Sequence, residues 1–372
     1  MGAAEIARPS VGDARIDHVA VNAYRIPTDA PESDGTLEWS ATTLVTAHVA
    51  ASGMQGFGYT YASRAAAVVI DDTLAPLLTG RDALDTGARW RDMVRAVRNI
   101  GRPGVASMAI AAVDTALWDL KAKLLGMPLA RLLGPCRDAI AVYGSGGFTS
   151  YLRERLAEQL GAWAAEGMRF VKMKVGRVPQ DDPARVRAAR RAIENCELFV
   201  DANGAYTRKQ ALAEAAAFAE QGVTWFEEPV SSDDLEGLRL IRDRAAAGMA
   251  IAAGEYGHDG RYFRRMLETG AVDVLQADAT RCAGITGFME AVALAASYGV
   301  PLSSHCAPSL HLPLMCAART AVHLEYFHDH VRIEEMLFDG FSPARNGLMS
   351  PDRSRPGLGV ELKARDAERY RC

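Results

Sequence analysis

At 372 residues, with 49% hydrophobic and 24% charged side chains, the chain is too long for one ordinary core and too apolar to be disordered. A formal net charge of −4 advertises no nucleic-acid or membrane surface, and no apolar run approaches the roughly 18 residues that a bilayer crossing needs. The six cysteines, Cys136, Cys196, Cys282, Cys306, Cys316 and Cys372, form no C-x-x-C pair, which argues against a disulfide framework or a zinc site and points to a reducing cytoplasm.

The opening segment MGAAEIARPSVGD has neither a basic start nor an apolar core, and reads as a frayed leader rather than a signal peptide. A β-meander is predicted next. RIDHVAVNAYRI, ATTLVTAHVA and QGFGYTYA each alternate apolar and polar residues, with TDAPESDGTLEWS as a loop between the first two. Helical periodicity follows through AAVVIDDTLAPLL and ALDTGARWRDMVRAV. ASMAIAAVDTALWDLKAKLLG is apolar on most of its circumference, as a central packing helix would be. MPLARLLGPCRD, with two prolines and a glycine, closes a first α+β domain over residues 13–135.

From Ala139 short apolar strands alternate with amphipathic helices, beginning IAVYG, RERLAEQLGAWAAEG, FVKMKVG, ARVRAARRAIE and LFVDANG. The alternation implies βαβ units and a parallel sheet, and eight strands in succession suit a closed barrel over 139–330. The last crossover, APSLHLPLMCAARTA, carries little helical signal. The tail, 331–372, mixes Pro, Gly and Arg irregularly and is expected to pack back on the first domain.

In such a barrel the C-terminal strand ends meet at one mouth, where active sites form. The residues at those ends are Lys172 and Lys174, then Asp201 and Asn203, Glu227 and Glu228, Glu255, Asp278, His305 and Glu325. Successive leading residues from Asp201 onward lie 20 to 28 apart (305 to 325 and 227 to 255 are the extremes), about one βα unit each. Asp201, Glu227 and Glu255 stand on consecutive strands, so their carboxylates converge and repel unless a cation lies between them. Hard oxygen donors without His or Cys suit Mg²⁺. The plain alternative, that each carboxylate pairs with a surface Arg or Lys, fits one such residue better than three. Lys172 and Lys174 share a face of an apolar strand, where burial and mutual repulsion are expected to lower their pKa and make one a base. Asp278 is placed to orient His305, and Glu325 could give up a proton if its pKa were raised.

This pattern resembles the enolase superfamily, in its mandelate racemase subgroup, and the resemblance runs from the first domain to the tail. It is carried by KMK (Lys172, Lys174), DAN (Asp201), FEEP (Glu227), GE (Glu255), ADATRCAGITG (Asp278), SSH (His305) and LE (Glu325). The resemblance implies a (β/α)₇β barrel, a modified TIM barrel, with an N-terminal α+β cap. It also implies Mg²⁺ held by Asp201, Glu227 and Glu255, Lys174 as one acid/base and the His305–Asp278 pair as the other. Lys172 would then support Lys174 and touch the substrate carboxylate, and Glu325 would assist the enolate oxygen. The muconate-cycloisomerase branch carries lysine where Asp278 stands. The sixth-strand motif departs from many relatives, which have a proline before the Asp and two glycines after it. Cys282 and Ala283 read as packing changes.

Most similar members of the subgroup dehydrate acid sugars to 2-keto-3-deoxy acids, so a small-molecule carboxylate is the implied partner and hydro-lyase chemistry the implied reaction. Relatives form dimers or octamers, which implies a homo-oligomer. Racemisation, epimerisation or cycloisomerisation through the same enolate is the enzymatic alternative. A catalytically silent sugar-acid-binding relative is the other, but no ligand or base is missing. Substrate contacts are expected from Asn203, and from the cap through a loop holding Asp34, Glu38 and Trp39 and a segment with Tyr59 and Tyr61. Those tyrosines could equally pack within the meander. His311 could face the pocket or the core, and the remaining histidines read as structural or solvated.

Overall fold

The computed structural model describes residues 14–372, so the leader MGAAEIARPSVGD lies outside the described residues. The chain first builds a three-stranded antiparallel sheet from β1 (Ile16–Ser33), β2 (Glu38–Ala51) and β3 (Met54–Tyr61), in spatial order 1-2-3. The predicted loop TDAPESDGTLEWS is mostly strand. β1 runs on to Ser33 because a register irregularity between the Pro27–Ala41 and Glu32–Trp39 pairs leaves Pro31 outside the ladder, where its missing N–H costs nothing. Only residues 34–37 turn, and Asp34 holds that turn by accepting from the backbone N–H groups of Thr36 (2.6 Å) and Leu37 (2.7 Å).

The helix Val105–Leu124 lies on this sheet as its all-round apolar sequence predicts, with Ile110, Val113, Leu117 and Leu120 fully buried. Each such side chain contributes roughly 1.5–3 kcal/mol by leaving water. The approach is close enough that a Cβ at Gly58 would stand 2.1 Å from the Ala112 carbonyl oxygen, so β3 must be bare there.

The second layer is a closed parallel barrel: β4 (Ile140–Gly146), β5 (Phe170–Lys174), β6 (Glu197–Asp201), β7 (Val223–Glu227), β8 (Ala250–Ala253), β9 (Val274–Ala277), β10 (Leu302–Ser304) and β11 (Ala321–Phe327). Neighbours pair in sequence order, and β11 returns to β4 with Glu325 opposite Tyr143. The weak crossover signal before β11 is a helix after all, Pro308–Ala317. Nine of its ten residues are buried, so it has no polar face to give the sequence a helical period.

Across the barrel interior, Tyr143, Phe199 and Trp225 surround His323 at ring-centroid distances of 5.0 to 5.4 Å and form a dry floor. After β11 the helix His328–Leu337 leads into a tail with three short strands: β12 (Phe338–Asp339), β13 (Leu348–Met349) and β14 (Glu361–Leu362). β12 pairs with β14, and β13 pairs antiparallel with β4. The tail also reaches the first domain, where the N–H of Leu358 donates to Asp119 (2.5 Å) and that of Cys372 to the Ala23 carbonyl (3.0 Å). Among the described residues, no helix is long and apolar enough to cross a membrane.

Candidate active site

Two residues beyond the aromatic floor, the inward positions of the same strands become charged. Lys172 is buried on β5 and its ammonium donates to both carboxylate oxygens of Glu227 (2.6 and 2.7 Å), with Glu325 Oε1 at 2.9 Å and Asp201 Oδ2 at 3.5 Å. Lys174 donates to Asp201 Oδ2 at 2.5 Å. Asp201, Glu227 and Glu255 each bring an oxygen within 4.8 Å of the other two, and all three are buried. Glu255 follows β8 through Gly254, where a Cβ would meet the Gln276 carbonyl oxygen at 2.1 Å, so a bare backbone is needed to aim this carboxylate inward. Oε2 of Glu255 is buried without a hydrogen bond. Convergent hard oxygens with an unsatisfied buried lone pair fit a small divalent cation.

Lys174 and His305 stand at opposite ends of this carboxylate arc. Lys174 is against Asp201, while His305 Nε2 lies 3.4 Å from Glu255 Oε2. Asp278 Oδ2 is 2.8 Å from His305 Nδ1, which leaves Nε2 facing the mouth. The sequence identified both members of that pair. It did not identify Arg281, three residues after Asp278, whose guanidinium reaches Glu255 Oε1 (3.0 Å) and Asp278 Oδ2 (3.6 Å). The signal for Arg281 was its place in the ADATRCAG loop. Ala283 occupies a left-handed position (φ 68°) more usual for glycine, and its carbonyl accepts from Trp90 Nε1 (2.8 Å). A cap residue therefore anchors the loop that departs from the usual motif.

Two electrostatic expectations are corrected. Burial pulls the Lys172 ammonium down, but Glu227 and Glu325 outweigh it and hold its pKa well above the ordinary value. Lys174 is likewise raised, burial being overcome mainly by Asp201. The expected mutual lowering fails because each lysine meets a carboxylate from the next strands before it meets its fellow lysine. Glu325 is not a proton donor: burial pushes it up, but Lys172, His305 and Lys174 hold it well below the carboxylate range. As an anion it accepts from the Cys306 N–H at 2.7 Å. Asp278 is also held low, its His305 contact overcoming burial. Glu228, buried beside Glu255, is pushed well up by burial and by that neighbour's charge.

The expected substrate contacts fall in different places. Asn203 follows β6 in the left-handed region (φ 46°), with its backbone N–H on Asp201 Oδ1 (2.9 Å) and its own Oδ1 without a hydrogen bond. Trp39 is half-buried at the cap edge, Nε1 on Glu32 (2.8 Å) and its ring 5.7 Å from Phe148, in a cluster that includes Cys306. Tyr59 and Tyr61 turn away from the carboxylates: both hydroxyls donate to buried Glu334, and Tyr61 stacks on His330 at 3.5 Å. They join the cap to the helix His328–Leu337, so they neither line the carboxylate arc nor pack only within the meander. His311 is core, its Nε2 accepting from the Ala279 N–H (2.8 Å) and its Nδ1 facing the carbonyls of Cys306 and Ala307.

A family model described as mandelate racemase / muconate lactonizing enzyme, N-terminal domain, matches residues 20–134, and one described as enolase C-terminal domain-like matches 155–367. The L-talarate/galactarate dehydratase of Salmonella typhimurium is 31% identical over 361 residues, 94% of this chain and 89% of that protein. A mandelate racemase/muconate lactonizing enzyme-like protein from Rubrobacter xylanophilus is 53% identical and superposes with a TM-score of 0.94, covering 96% of this chain and 100% of that one. A racemase from Streptomyces coelicolor with bound magnesium is 32% identical with a TM-score of 0.90, again over 96% and 100% of the two chains.

Proposed function

Because this chain belongs to the mandelate racemase/muconate lactonizing enzyme family of the enolase superfamily, we propose that it is a Mg²⁺-dependent acid-sugar dehydratase. Catalysis on an acid sugar through the superfamily's common chemistry is the broader frame, and loss of water from an aldonate or aldarate is the specific reading. The single observation carrying it is the placement of Lys174 and His305 at opposite ends of the buried carboxylate arc. Asp201, Glu227 and Glu255 would hold Mg²⁺, which supplies positive charge beside the substrate carboxylate and so makes the neighbouring C–H acidic.

The chain's own groups then divide the work. Lys174, at the Asp201 end, would remove the proton from the carbon next to the carboxylate once Asp201, whose charge holds the lysine protonated, is engaged by the cation. The resulting enediolate is held by the Lys172 ammonium. His305, protonated on Nε2 and steadied through Nδ1 by Asp278, delivers a proton to the hydroxyl on the next carbon, which leaves as water. The enol product gains a proton on the carbon that lost its hydroxyl and releases its enol O–H proton, becoming the 2-keto-3-deoxy acid. Glu325, anionic and paired with Lys172, keeps that lysine protonated instead of donating a proton itself. Trp39 and Asn203 contribute to substrate fit at the rim. A substrate of opposite configuration at the acidic carbon would exchange the roles of Lys174 and His305.

A second reading, racemisation or epimerisation, uses the same two groups, and the magnesium-containing Streptomyces relative is called a racemase. The two readings separate in one experiment. Incubation with a panel of aldonates and aldarates, Mg²⁺ and D₂O is expected to yield a 2-keto acid from at least one substrate. Deuterium uptake beside the carboxylate with no keto acid would replace dehydration by racemisation, and neither outcome across the panel would refute both.

A further inference from the structure

The thiol of Cys306 takes no part in the chemistry above, yet it lies 3.3 Å from His305 Nε2, the nitrogen that faces the mouth. The backbone explains how consecutive side chains meet. Cys306 (φ 52°) and Ala307 (φ 40°) both lie in the left-handed region, and the turn folds the thiol back beside the imidazole. His311 braces the same turn through the carbonyls of both residues, and His330 accepts from the Ala307 N–H at 3.2 Å. Strain in two consecutive non-glycine residues, held by two buried histidines, keeps sulfur next to nitrogen.

Glu325 completes the group. One oxygen, one sulfur and one nitrogen from Glu325, Cys306 and His305 lie within 4.8 Å of one another, all on buried residues. We propose that His305, Cys306 and Glu325 form a second, softer metal site, one that takes Zn²⁺ and switches the enzyme off by occupying the catalytic imidazole. The inference rests on the catalytic reading of His305 for its consequence, but its donor set differs from that of the Mg²⁺ site, which it adjoins through His305 Nε2 and Glu255 Oε2 (3.4 Å).

The dimensions fit. Tetrahedral zinc, with bonds of about 2.3 Å to sulfur and about 2.0 Å to nitrogen or oxygen, separates S from N by roughly 3.5 Å and N from O by roughly 3.3 Å. The observed separations are 3.3 Å for Cys306 Sγ to His305 Nε2 and 3.9 Å for His305 Nε2 to Glu325 Oε2. Asp278 on Nδ1 is the carboxylate–histidine arrangement that orients an imidazole toward zinc and raises its basicity. The donors also differ in kind from the neighbouring carboxylates: a thiolate and an imidazole favour Zn²⁺ over Mg²⁺, whereas three carboxylates favour Mg²⁺. Charge balances, since Zn²⁺ faces one thiolate, one carboxylate and a neutral imidazole. Burial and the Glu325 charge hold the free thiol protonated, so binding releases to solvent the Cys306 proton as the Zn–S bond forms and, from the catalytically charged enzyme, the His305 Nε2 proton as the Zn–N bond forms. A fourth position stays open toward the mouth.

Cobalt serves as the spectroscopic probe. Full-length protein saturated with Mg²⁺ is titrated with Co²⁺, and one equivalent is expected to produce a near-ultraviolet thiolate-to-cobalt charge-transfer band that Zn²⁺ abolishes. Cys306→Ser and Cys306→Ala should both lose the band, with Zn²⁺ affinity by calorimetry at least tenfold weaker. Absence of the band in the wild-type protein, or its survival in either variant, overturns the site. Asp201→Asn keeps the two readings apart: it should abolish Mg²⁺ binding while leaving the cobalt–thiolate band. A band in wild-type protein that binds no Mg²⁺ would support the zinc site and sink the Mg²⁺ reading alone.

Discussion

The barrel's floor and its mouth are built from the same strands and are equally buried, but they solve burial in opposite ways. On β6, Phe199 faces the floor and Asp201 the mouth. On β7 the pair is Trp225 and Glu227, and on β11 it is His323 and Glu325. One strand period separates the two layers. The floor avoids charge, and the imidazole at its centre, His323, is driven down to about 3, chiefly by burial and then by the Lys172 charge above it. The mouth instead concentrates charge and gives each group a partner: Lys172 has Glu227 and Glu325, Lys174 has Asp201, and Asp278 has His305. A dry floor makes those pairings strong, and the pairings make the charges tolerable.

The difference can be broken most severely at the mouth. Lys174→Ala and His305→Gln are each expected to lower kcat for the dehydration by about 10²–10⁴, the usual worth of a positioned acid or base. A loss of less than tenfold in either variant would remove that residue from the proton-transfer steps. Lys172→Met should act on stability as well as rate. It strips the ammonium from Glu227 and Glu325 while leaving both carboxylates buried, at a cost of roughly 3–5 kcal/mol in urea unfolding. Added Mg²⁺ should recover part of that loss in the variant. If the variant unfolds like the wild type without metal, the lysine is not what makes this charge cluster bearable.

Much of this site could be read from the sequence because a barrel converts linear spacing into convergence. Polar residues at the ends of successive apolar strands had no other place to meet. What escaped depended on contacts made between strands. The lysine pair looked self-repelling along FVKMKVG, and only the neighbouring strands bring Asp201 and Glu227 between the ammonium groups and set the sign of the shift. Arg281 acts through a loop conformation that no periodicity encodes. Cys306 looked like a scattered thiol, since one of its companions, Glu325, comes from the next strand. Tyr59 and Tyr61 share a strand face, but the buried carboxylate they serve, Glu334, lies more than 270 residues away. In the fold, the helix Pro308–Ala317 was hidden by its own burial, and the length of β1 by Pro31, which a register irregularity accommodates.

Between these effects lies Asp278→Asn. The asparagine preserves a hydrogen bond to His305 Nδ1 but withdraws the charge that favours imidazolium, so kcat is expected to fall about 10–100-fold, the range seen when such a partner is removed from a functional histidine. A fall of less than tenfold would show that the Asp278 charge adds nothing beyond holding the ring in place.

The smallest effect belongs to the floor. His323 ionises near 6.5 in an unfolded chain but only near 3 in the folded one. As pH falls below 6.5 the unfolded state therefore takes up a proton that the folded state refuses. Stability is full above that value and declines progressively toward pH 3, by about 2 kcal/mol at pH 5. His323→Leu removes this proton uptake while keeping an apolar side chain among Tyr143, Phe199 and Trp225. The Ser303 hydroxyl loses the imidazole nitrogen at 2.9 Å but can still donate to the residue-323 carbonyl at 3.2 Å, so no buried donor is stranded. The variant should match the wild type in urea melts at pH 7.5 and exceed it at pH 5. Parallel losses in both proteins between those pH values would show that His323 is not the source of the acid sensitivity.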